Sequence, residues 1–356
     1  MQTILFSELS AGALSLKNRI NVPPMCMWQA KDGLAQDFHL QHYAALAASG
    51  AGAVTIEATA AVPEGRISPF CLGIWDDERA AGIVRIVKAM KTASPDTRVL
   101  LQLAHAGRKA SCNPHTDAWM SPEEGGWQPV APSALTWSQN FPLPRELAAD
   151  EIKELVQKFA EGAVRAQQAG CDGIMLHAAH GYLIHEFLSP LSNQRTDEYG
   201  GSFDNRVRFL TEVLRAIKAA VSENFAVGIR LSATDWIEGG MTIEDTVKIA
   251  RLAQELGCSF ADISTGGLLS APIKVAPGYQ LPFAARVRQE TGLCVFGVGL
   301  ITNAFQAETA LQLGACDVVD IGRAMLSDPN WGWHAARDLG VKLEALNTAK
   351  IFALQH

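Results

Sequence analysis

The chain has 356 residues, of which 48% are hydrophobic and 19% are charged, and its formal net charge is −7. That length fits one barrel domain or two smaller domains. The acidic balance, without any block of basic residues, excludes the electrostatic footprint expected of a protein that binds nucleic acid or an anionic membrane.

The N-terminal segment and the cysteine pattern indicate the cellular compartment in which the protein is expected. MQTILFSELS lacks the basic start and long apolar run of a signal peptide, and the apolar stretch 44–62 is too interrupted for a membrane span. The seven cysteines are scattered without a CxxC pair, which argues against a disulfide framework or a zinc ribbon. We therefore expect a cytoplasmic enzyme with reduced thiols.

Short apolar runs alternate with amphipathic stretches along the chain. Because the runs are continuously apolar, they are typical of strands buried on both faces of a parallel sheet. Strands are predicted at Arg19–Met25, Ala53–Ala58, Val99–Ala104, Gly173–His177, Ala226–Leu231, Phe260–Ser264, Cys294–Gly297 and Val318–Gly322. Helical periodicity is clearest over 152–164 and 210–221, and in a third segment that begins at Thr242 with capping-box spacing.

Eight strands, each followed by a helix, predict an α/β fold of the (β/α)8 TIM-barrel type, with residues 1–356 as a single domain. An open Rossmann-like sheet is the main alternative, but no GxGxxG opens a helix after the first strand. The segment before Arg19 is predicted to form a hairpin that closes the bottom of the barrel. The long loops Ser111–Pro144 and Leu188–Ser202 both follow strands, so we expect them at the C-terminal face, where this fold builds active sites.

Polar residues and glycines follow several predicted strands. The segments are 23–28 (PPMCMW), 102–109 (QLAHAGRK) and 177–182 (HAAHGY), and Arg230 lies within the fifth strand. Glycine-rich turns at 297–299 and 322–323 follow strands seven and eight, the usual phosphate cradle of barrel enzymes. Arg323 would add the counter-charge, so a phosphorylated ligand is favoured.

Each of these features has a less specific interpretation. His177 and His180 have a spacing that metal ligands use, but no third ligand is nearby in sequence; a packing role for one of them is favoured, and no metal site is predicted. Cys26 alone is typical of an ordinary buried thiol. Lys109 could be the Schiff-base lysine of an aldolase, but its exposed-looking loop favours a solvated cation.

Several segments together resemble the Old Yellow Enzyme family of FMN-dependent ene-reductases, from about Phe6 to Asp328. They are LKNRI at 16–20, PMC at 24–26, QLAHAGRK at 102–109, HAAHGYL at 177–183, SPLSN at 189–193 and RTDEYGGS at 195–202. A Cys after Pro-Met, where other branches carry Thr, resembles the bacterial thermophilic-like or xenobiotic-reductase-like branch.

The resemblance implies bound FMN, with NADPH or NADH as reductant and no need of a Rossmann domain. The isoalloxazine edge would be lined by Pro23, Pro24, Met25, Cys26 and Ala58. Gln102 and Arg230 would hydrogen bond the pyrimidine end, where a fixed cation stabilises the negative charge of reduced flavin. Gly299, Gly322 and Arg323 would hold the phosphate.

The resemblance also implies the reaction, which is reduction of the C=C bond of an α,β-unsaturated carbonyl compound, or of nitro compounds and nitrate esters. His177 and His180 would bind the carbonyl oxygen of this small enone substrate while hydride leaves flavin N5 for Cβ. Tyr182 would donate a proton to Cα. Cys26 would take part at the flavin edge.

Two departures from the family pattern affect the pocket. Trp28 stands where this branch usually has Tyr, so we expect an altered substrate range. The end of the chain, LNTAKIFALQH, lacks the aromatic and Arg tail that often completes a neighbouring subunit's pocket; a homodimer or larger homo-oligomer is still expected.

Other functions remain open at this stage. A 2,4-dienoyl-CoA reductase-like enzyme would need an iron–sulfur segment and a longer chain with clustered cysteines. From a different class, the chain could be a barrel that binds a phosphorylated ligand without turnover, or an aldolase or lyase that uses Lys109 without redox chemistry.

Overall fold

Eight parallel strands close into a barrel in the computed structural model, which describes residues 3–342. The strands are Ile20–Val22, Ala53–Ala60, Arg98–Ala104, Gly173–Ala178, Ala226–Ser232, Phe260–Ser264, Cys294–Gly297 and Val318–Asp320. Each pairs with the next along the chain, and the eighth pairs with the first. The predicted (β/α)8 TIM barrel is confirmed.

A helix follows every barrel strand. These helices are Asp37–Ala47, Asp77–Ala93, Ala149–Gln168, Arg208–Ala220, Ile243–Glu255, Leu281–Thr291, Ala304–Gln312 and Trp331–Asp338. The side chain of Thr242 accepts a hydrogen bond from the Asp245 amide, as the capping-box spacing predicted. Shorter helices at Leu183–Leu188, Phe203–Arg206 and Arg323–Ser327 lie in the connections at the C-terminal face.

Two strands are shorter than predicted. The first ends at Val22 rather than Met25, because Pro23 and Pro24 have no amide N–H to donate to a neighbouring strand. The eighth ends at Asp320 rather than Gly322, where the backbone turns into the helix that begins at Arg323. The proposed ligand-contacting residues 23–26 and 322–323 therefore lie beyond the strand ends, at the mouth of the barrel.

The bottom of the barrel is closed by an antiparallel hairpin, as predicted. Its strands are Leu9–Ala11 and Leu14–Leu16. Leu14 and Leu16 are buried against side chains at the starts of the barrel strands, including Phe260 and Phe296. The rings of these two phenylalanines are stacked with centroids 4.6 Å apart. Apolar packing thus fills the lower barrel and leaves the polar groups above it.

Hydrogen bonds connect the two long loops at the C-terminal face. The loop 111–144 contains the antiparallel pair Cys112–Asn113 and Ala118–Trp119, and its strand Val130–Ala131 pairs with Arg145–Glu146. Arg195, from the second loop, donates hydrogen bonds to the carbonyl oxygens of Pro132 at 3.0 Å and Leu147 at 2.6 Å.

Within residues 3–342, no helix combines the length and apolar character needed to cross a membrane. The tail LNTAKIFALQH, on which the prediction about the partner's pocket depended, lies outside the described residues.

Candidate active site

Three aromatic side chains gather at the mouth, where the fourth barrel strand ends. The His177 ring centroid lies 5.3 Å from that of His180 and 4.9 Å from that of Tyr182. His177 is 3% exposed, and its Nδ1 has no hydrogen-bond partner in the described part of the chain. Burial, and secondarily the charge of Arg230, holds the pKa of both histidines well below the usual range. Both rings are therefore neutral at physiological pH.

The backbone that carries His180 and Tyr182 is held in a tight turn. His180 has φ 60° and Gly181 has φ 71°. A Cβ on Gly181 would collide with the Gly267 carbonyl oxygen, so glycine is required there. The Gly181 amide donates to Nδ1 of His185 at 2.9 Å, and Nε2 of His185 lies 3.0 Å from Oδ1 of Asp235. A buried Asp–His pair thus fixes the turn.

The His180 side chain is engaged within the protein. Its Nε2 lies 2.8 Å from Oγ of Ser264, and that Oγ is 3.1 Å from Oε1 of Gln280. Because a side-chain carbonyl oxygen only accepts, the Ser264 hydroxyl donates to Gln280 and accepts from Nε2–H of His180. Nδ1 of His177, in contrast, has no hydrogen-bond partner among residues 3–342. The two histidines that were predicted to act alike are therefore in different states.

The structure contradicts the prediction that Lys109 is a solvated cation. The residue ends the short 3₁₀ turn Gly107–Lys109, and its Nζ donates to the carbonyl oxygens of His180, at 2.9 Å, and Gly267. Nζ also lies 4.3 Å from the ring centroid of Trp137 and 5.6 Å from that of Tyr182. Burial lowers the pKa of Lys109 to about 8. The burial of Lys109 was not predicted because the polar segment that follows strand three folds back over the mouth of the barrel.

Cys26 lies beside the second barrel strand. A register shift between Ile56 and Thr59 marks a bulge around Ala58, whose backbone contacts the Cys26 thiol. A hydrogen bond with the Cys71 thiol, followed by burial, raises the pKa of Cys26 well above its usual value. Cys26 is thus a neutral thiol at physiological pH. Trp28, with φ 53° and 44% exposure, lies at the rim of the mouth.

Gln102 and Arg230 reach the mouth from strands three and five. Gln102 is 2% exposed, and its amide nitrogen makes a weak contact of 3.9 Å with the sulfur of Met175. Arg230 is level with His177 in the register of strands four and five. Its Nε lies 3.0 Å from Oδ2 of Asp262, inside the barrel. A planar polar ligand would find donors here.

The glycines predicted to cradle a phosphate lie on neighbouring connections. Gly299 has φ 147°, and its carbonyl oxygen accepts from the Gly278 amide at 2.6 Å. A Cβ on Gly322 would meet Pro23 Cγ at 3.4 Å and Met25 Sδ at 3.5 Å. Arg323 is exposed beside Gly322. The structure therefore brings the end of strand eight against the Pro-Pro-Met segment that follows strand one.

No cluster of three metal-ligating side chains occurs among residues 3–342. Ser264, Gln280 and the Asp235–His185 pair were not singled out from the sequence. Ser264 closes a predicted strand, and a hydroxyl at that position was the one available signal; the other three residues lie in connections or a short helix without a motif of their own.

Known proteins share this fold and align with nearly the whole chain. The family model described as the NADH:flavin oxidoreductase / NADH oxidase family matches residues 4–341. An NADPH dehydrogenase of Geobacillus thermodenitrificans is 44% identical over 347 residues, 97% of each chain. One from Bacillus subtilis is 41% identical over 343 residues, 96% of each chain.

A solved structure of morphinone reductase superposes with a TM-score of 0.79 at 28% identity, covering 98% of this chain and 93% of that one. The enzyme is thus an oxidoreductase whose predicted cofactors, FMN with NADPH or NADH, agree with those of its relatives. The resemblance noted in the sequence is confirmed: the chain belongs to the NADH:flavin oxidoreductase / NADH oxidase family, that of Old Yellow Enzyme.

Proposed function

We propose that the enzyme is an ene-reductase, which uses NADPH or NADH to reduce the C=C bond of α,β-unsaturated carbonyl compounds. Nitro compounds and nitrate esters are further substrates for the same chemistry. The observation that carries the proposal is the buried His177, whose Nδ1 lacks a partner in the described residues and whose ring packs against Tyr182. A neutral imidazole and a phenol side by side suit an enone whose carbonyl oxygen gains negative charge and whose Cα then takes a proton.

The side chains at the mouth fit FMN. Gln102 and Arg230 would hydrogen bond its pyrimidine end, the segment Pro23–Cys26 with Ala58 would line its edge, and Gly299, Gly322 and Arg323 would hold its phosphate. When bound, FMN supplies the hydride. Pro23 and Met25 lie against Gly322, so the groups for the ring and for the phosphate adjoin one another.

His177 is the donor that is ready for the substrate oxygen. Its N–H stabilises charge on that oxygen in a buried site, where one such donor typically lowers the activation free energy by about 3 kcal/mol. His180 can contribute only after its Nε2–H leaves Ser264, which lies 2.8 Å away. The two histidines therefore contribute unequally to stabilising the substrate oxygen.

Tyr182 is the proposed proton donor. Burial raises the pKa of Tyr182 well above that of a free phenol, so the hydroxyl keeps its proton until a carbanion-like Cα takes it. The Lys109 ammonium, 5.6 Å from the Tyr182 ring centroid, stabilises the phenolate that remains.

The aldolase alternative loses its main residue. Lys109 donates to two backbone carbonyl oxygens, so its nitrogen is directed away from a carbonyl substrate. A homodimer, a cytoplasmic location and an altered substrate range through Trp28 stay predictions.

The first test is the visible spectrum of the purified protein under anaerobic conditions. Flavin absorbance that is lost with NADPH and returns with 2-cyclohexenone is expected. A yellow protein that is bleached by NADPH but not reoxidised by any enone would contradict the substrate class alone. A protein that stays colourless after FMN is added would contradict the cofactor assignment too.

A further inference from the structure

Two carboxyl side chains face each other inside the barrel, below the proposed active site. Asp262 lies on strand six and Asp320 on strand eight, with exposures of 0% and 1%. Their side chains lie within hydrogen-bonding reach of each other, and each influences the pKa of the other. Both stand in runs that the sequence marked as apolar strands, and neither has a part in the mechanism above.

The groups around the pair come from several strands. Nε of Arg230 on strand five lies 3.0 Å from Oδ2 of Asp262. Nδ2 of Asn21 on strand one donates to Oδ1 of Asp320 at 2.7 Å, and the Thr55 hydroxyl on strand two donates to Oδ1 of Asn21 at 3.2 Å. In register with Asp262, strand seven contributes the apolar Phe296, while strand four carries the neutral His177 beside Arg230. Arg230 is thus the cation that contacts the pair within residues 3–342.

Charge counting shows that the pair must hold a proton. Two carboxylates beside one guanidinium would leave an uncompensated negative charge in the barrel interior, which is strongly unfavourable. Burial raises the pKa of both carboxyls, and the charge of Arg230 opposes that rise. A single proton between the two makes the group of three side chains neutral.

The hydrogen bonds indicate where that proton resides. Arg230 contacts Asp262, so Asp262 carries the negative charge. Because the Asn21 amide donates to Oδ1 of Asp320, Oδ2 is left to carry the proton. Apart from the contact of Arg230 with Oδ2 of Asp262, neither Oδ2 of Asp320 nor the oxygens of Asp262 have a hydrogen-bond partner in the described structure, and an Asp320 O–H donated to Asp262 supplies one.

We propose that Asp320 is a protonated carboxyl that donates to Asp262, and that this one-proton pair sets the net charge which Arg230 presents to the flavin. The proposal rests on the proposed place of Arg230 at the pyrimidine end. Asp262, Asp320 and Asn21 are positioning residues, since they act through Arg230. Reduced flavin carries negative charge near N1, so its reduction potential reports the charge beneath it.

The proton itself is tested by 13C NMR of holoenzyme labelled at the aspartate carboxyl carbons. In the wild-type protein, one aspartate carboxyl should keep the chemical shift of the protonated form at neutral pH. Asp320→Asn should remove that signal, whereas the exposed control Asp37→Asn should retain it. A wild-type spectrum in which every aspartate carboxyl is ionised at neutral pH would overturn the proposal, whether or not the variant folds.

The effect on the flavin is tested by the midpoint potential of bound FMN. Asp320→Asn exchanges one neutral group for another, so the potential should stay constant. The double variant Asp262→Asn/Asp320→Asn leaves Arg230 without a counter-charge and should raise the ratio of reduced to oxidised flavin at least tenfold, about 30 mV for two electrons.

The outcomes separate this inference from the proposed function. A potential that rises already in Asp320→Asn would mean that Asp320 is ionised in the wild-type protein, against the inference. A potential unchanged in the double variant would refute the effect through Arg230, while the NMR signal would still decide the proton. A chain that binds no FMN would contradict the proposed function and with it the effect on the flavin, while the proton on Asp320 would still be tested by NMR of the protein as purified.

Discussion

The unequal state of the two histidines predicts unequal losses when each is replaced. His177→Ala removes a donor for which the described residues offer no competing partner, so the full contribution of about 3 kcal/mol should be lost. At 1.36 kcal/mol per factor of ten, the rate of enone reduction should fall about 150-fold.

His180→Ala should cost less. In the free enzyme, Nε2–H of His180 donates to Ser264, and this hydrogen bond must break before His180 can donate to a substrate oxygen. A net hydrogen bond contributes about 1 kcal/mol, so the gain from His180 is reduced to about 2 kcal/mol, or roughly 30-fold in rate. Ser264→Ala should remove this cost and increase the rate up to about fivefold, provided that His180 stays in place.

The assay is the anaerobic oxidative half-reaction. Enzyme reduced beforehand is mixed with 2-cyclohexenone, and the return of flavin absorbance is followed in a single turnover. His177→Asn, which retains an N–H donor, is the matched control and should recover part of the loss. Equal losses in the two alanine variants, or a larger loss in His180→Ala, would refute the argument from the Ser264 contact.

The remaining predictions concern the proton donor, a buried carboxyl and the rim. Tyr182→Phe should slow the oxidative half-reaction by about 10²–10⁴-fold and leave flavin reduction by NADPH nearly unchanged; equal slowing of both would contradict its role. Burial raises the pKa of Glu186 to about 8, so the protonated native state loses stability as pH rises from about 4.5 through 8, by at most about 5 kcal/mol. Glu186→Gln should flatten that part of a denaturation–pH profile, and an unchanged slope would count against it. Trp28→Tyr should change the ratio of kcat/KM values between small and bulky enones without abolishing turnover; identical ratios would show that the exposed indole does not meet the substrate.

Much of the fold followed from the sequence because it depends on local patterns. The eight strands, the hairpin at the bottom and the cap at Thr242 are encoded in runs of apolar residues and in the spacing of a few polar ones. The ends of the first and eighth strands were misplaced because apolar residues continue past the point where Pro23 and Gly322 stop the pairing.

For the site, the sequence predicted which residues take part but not the contacts that those residues make. His177, His180 and Tyr182 lie within six residues of each other, so their proximity required only the strand-to-helix turn. Lys109 was misjudged because its contacts are with a carbonyl 71 residues away and another 158 residues away. Hydrogen bonds of that kind involve the backbone, and the sequence carries no side-chain signal for them.

In the barrel interior, the pairing of parallel strands brings together polar side chains whose proximity no single sequence segment predicts. Asn21 and Asp320 are separated by 299 positions in sequence, yet the eighth strand pairs with the first and sets them level. Likewise, Arg230 and Asp262 are paired by the register of strands five and six. In each strand the charged or amide side chain is a single exception among apolar and small residues, and a single exception is weak as a motif. Such a residue nevertheless constrains the structure, since a buried polar group without a partner destabilises the fold. A polar residue within an apolar strand of a barrel therefore predicts a polar partner on an adjacent strand, and with it the place where the interior can hold a charge or a proton.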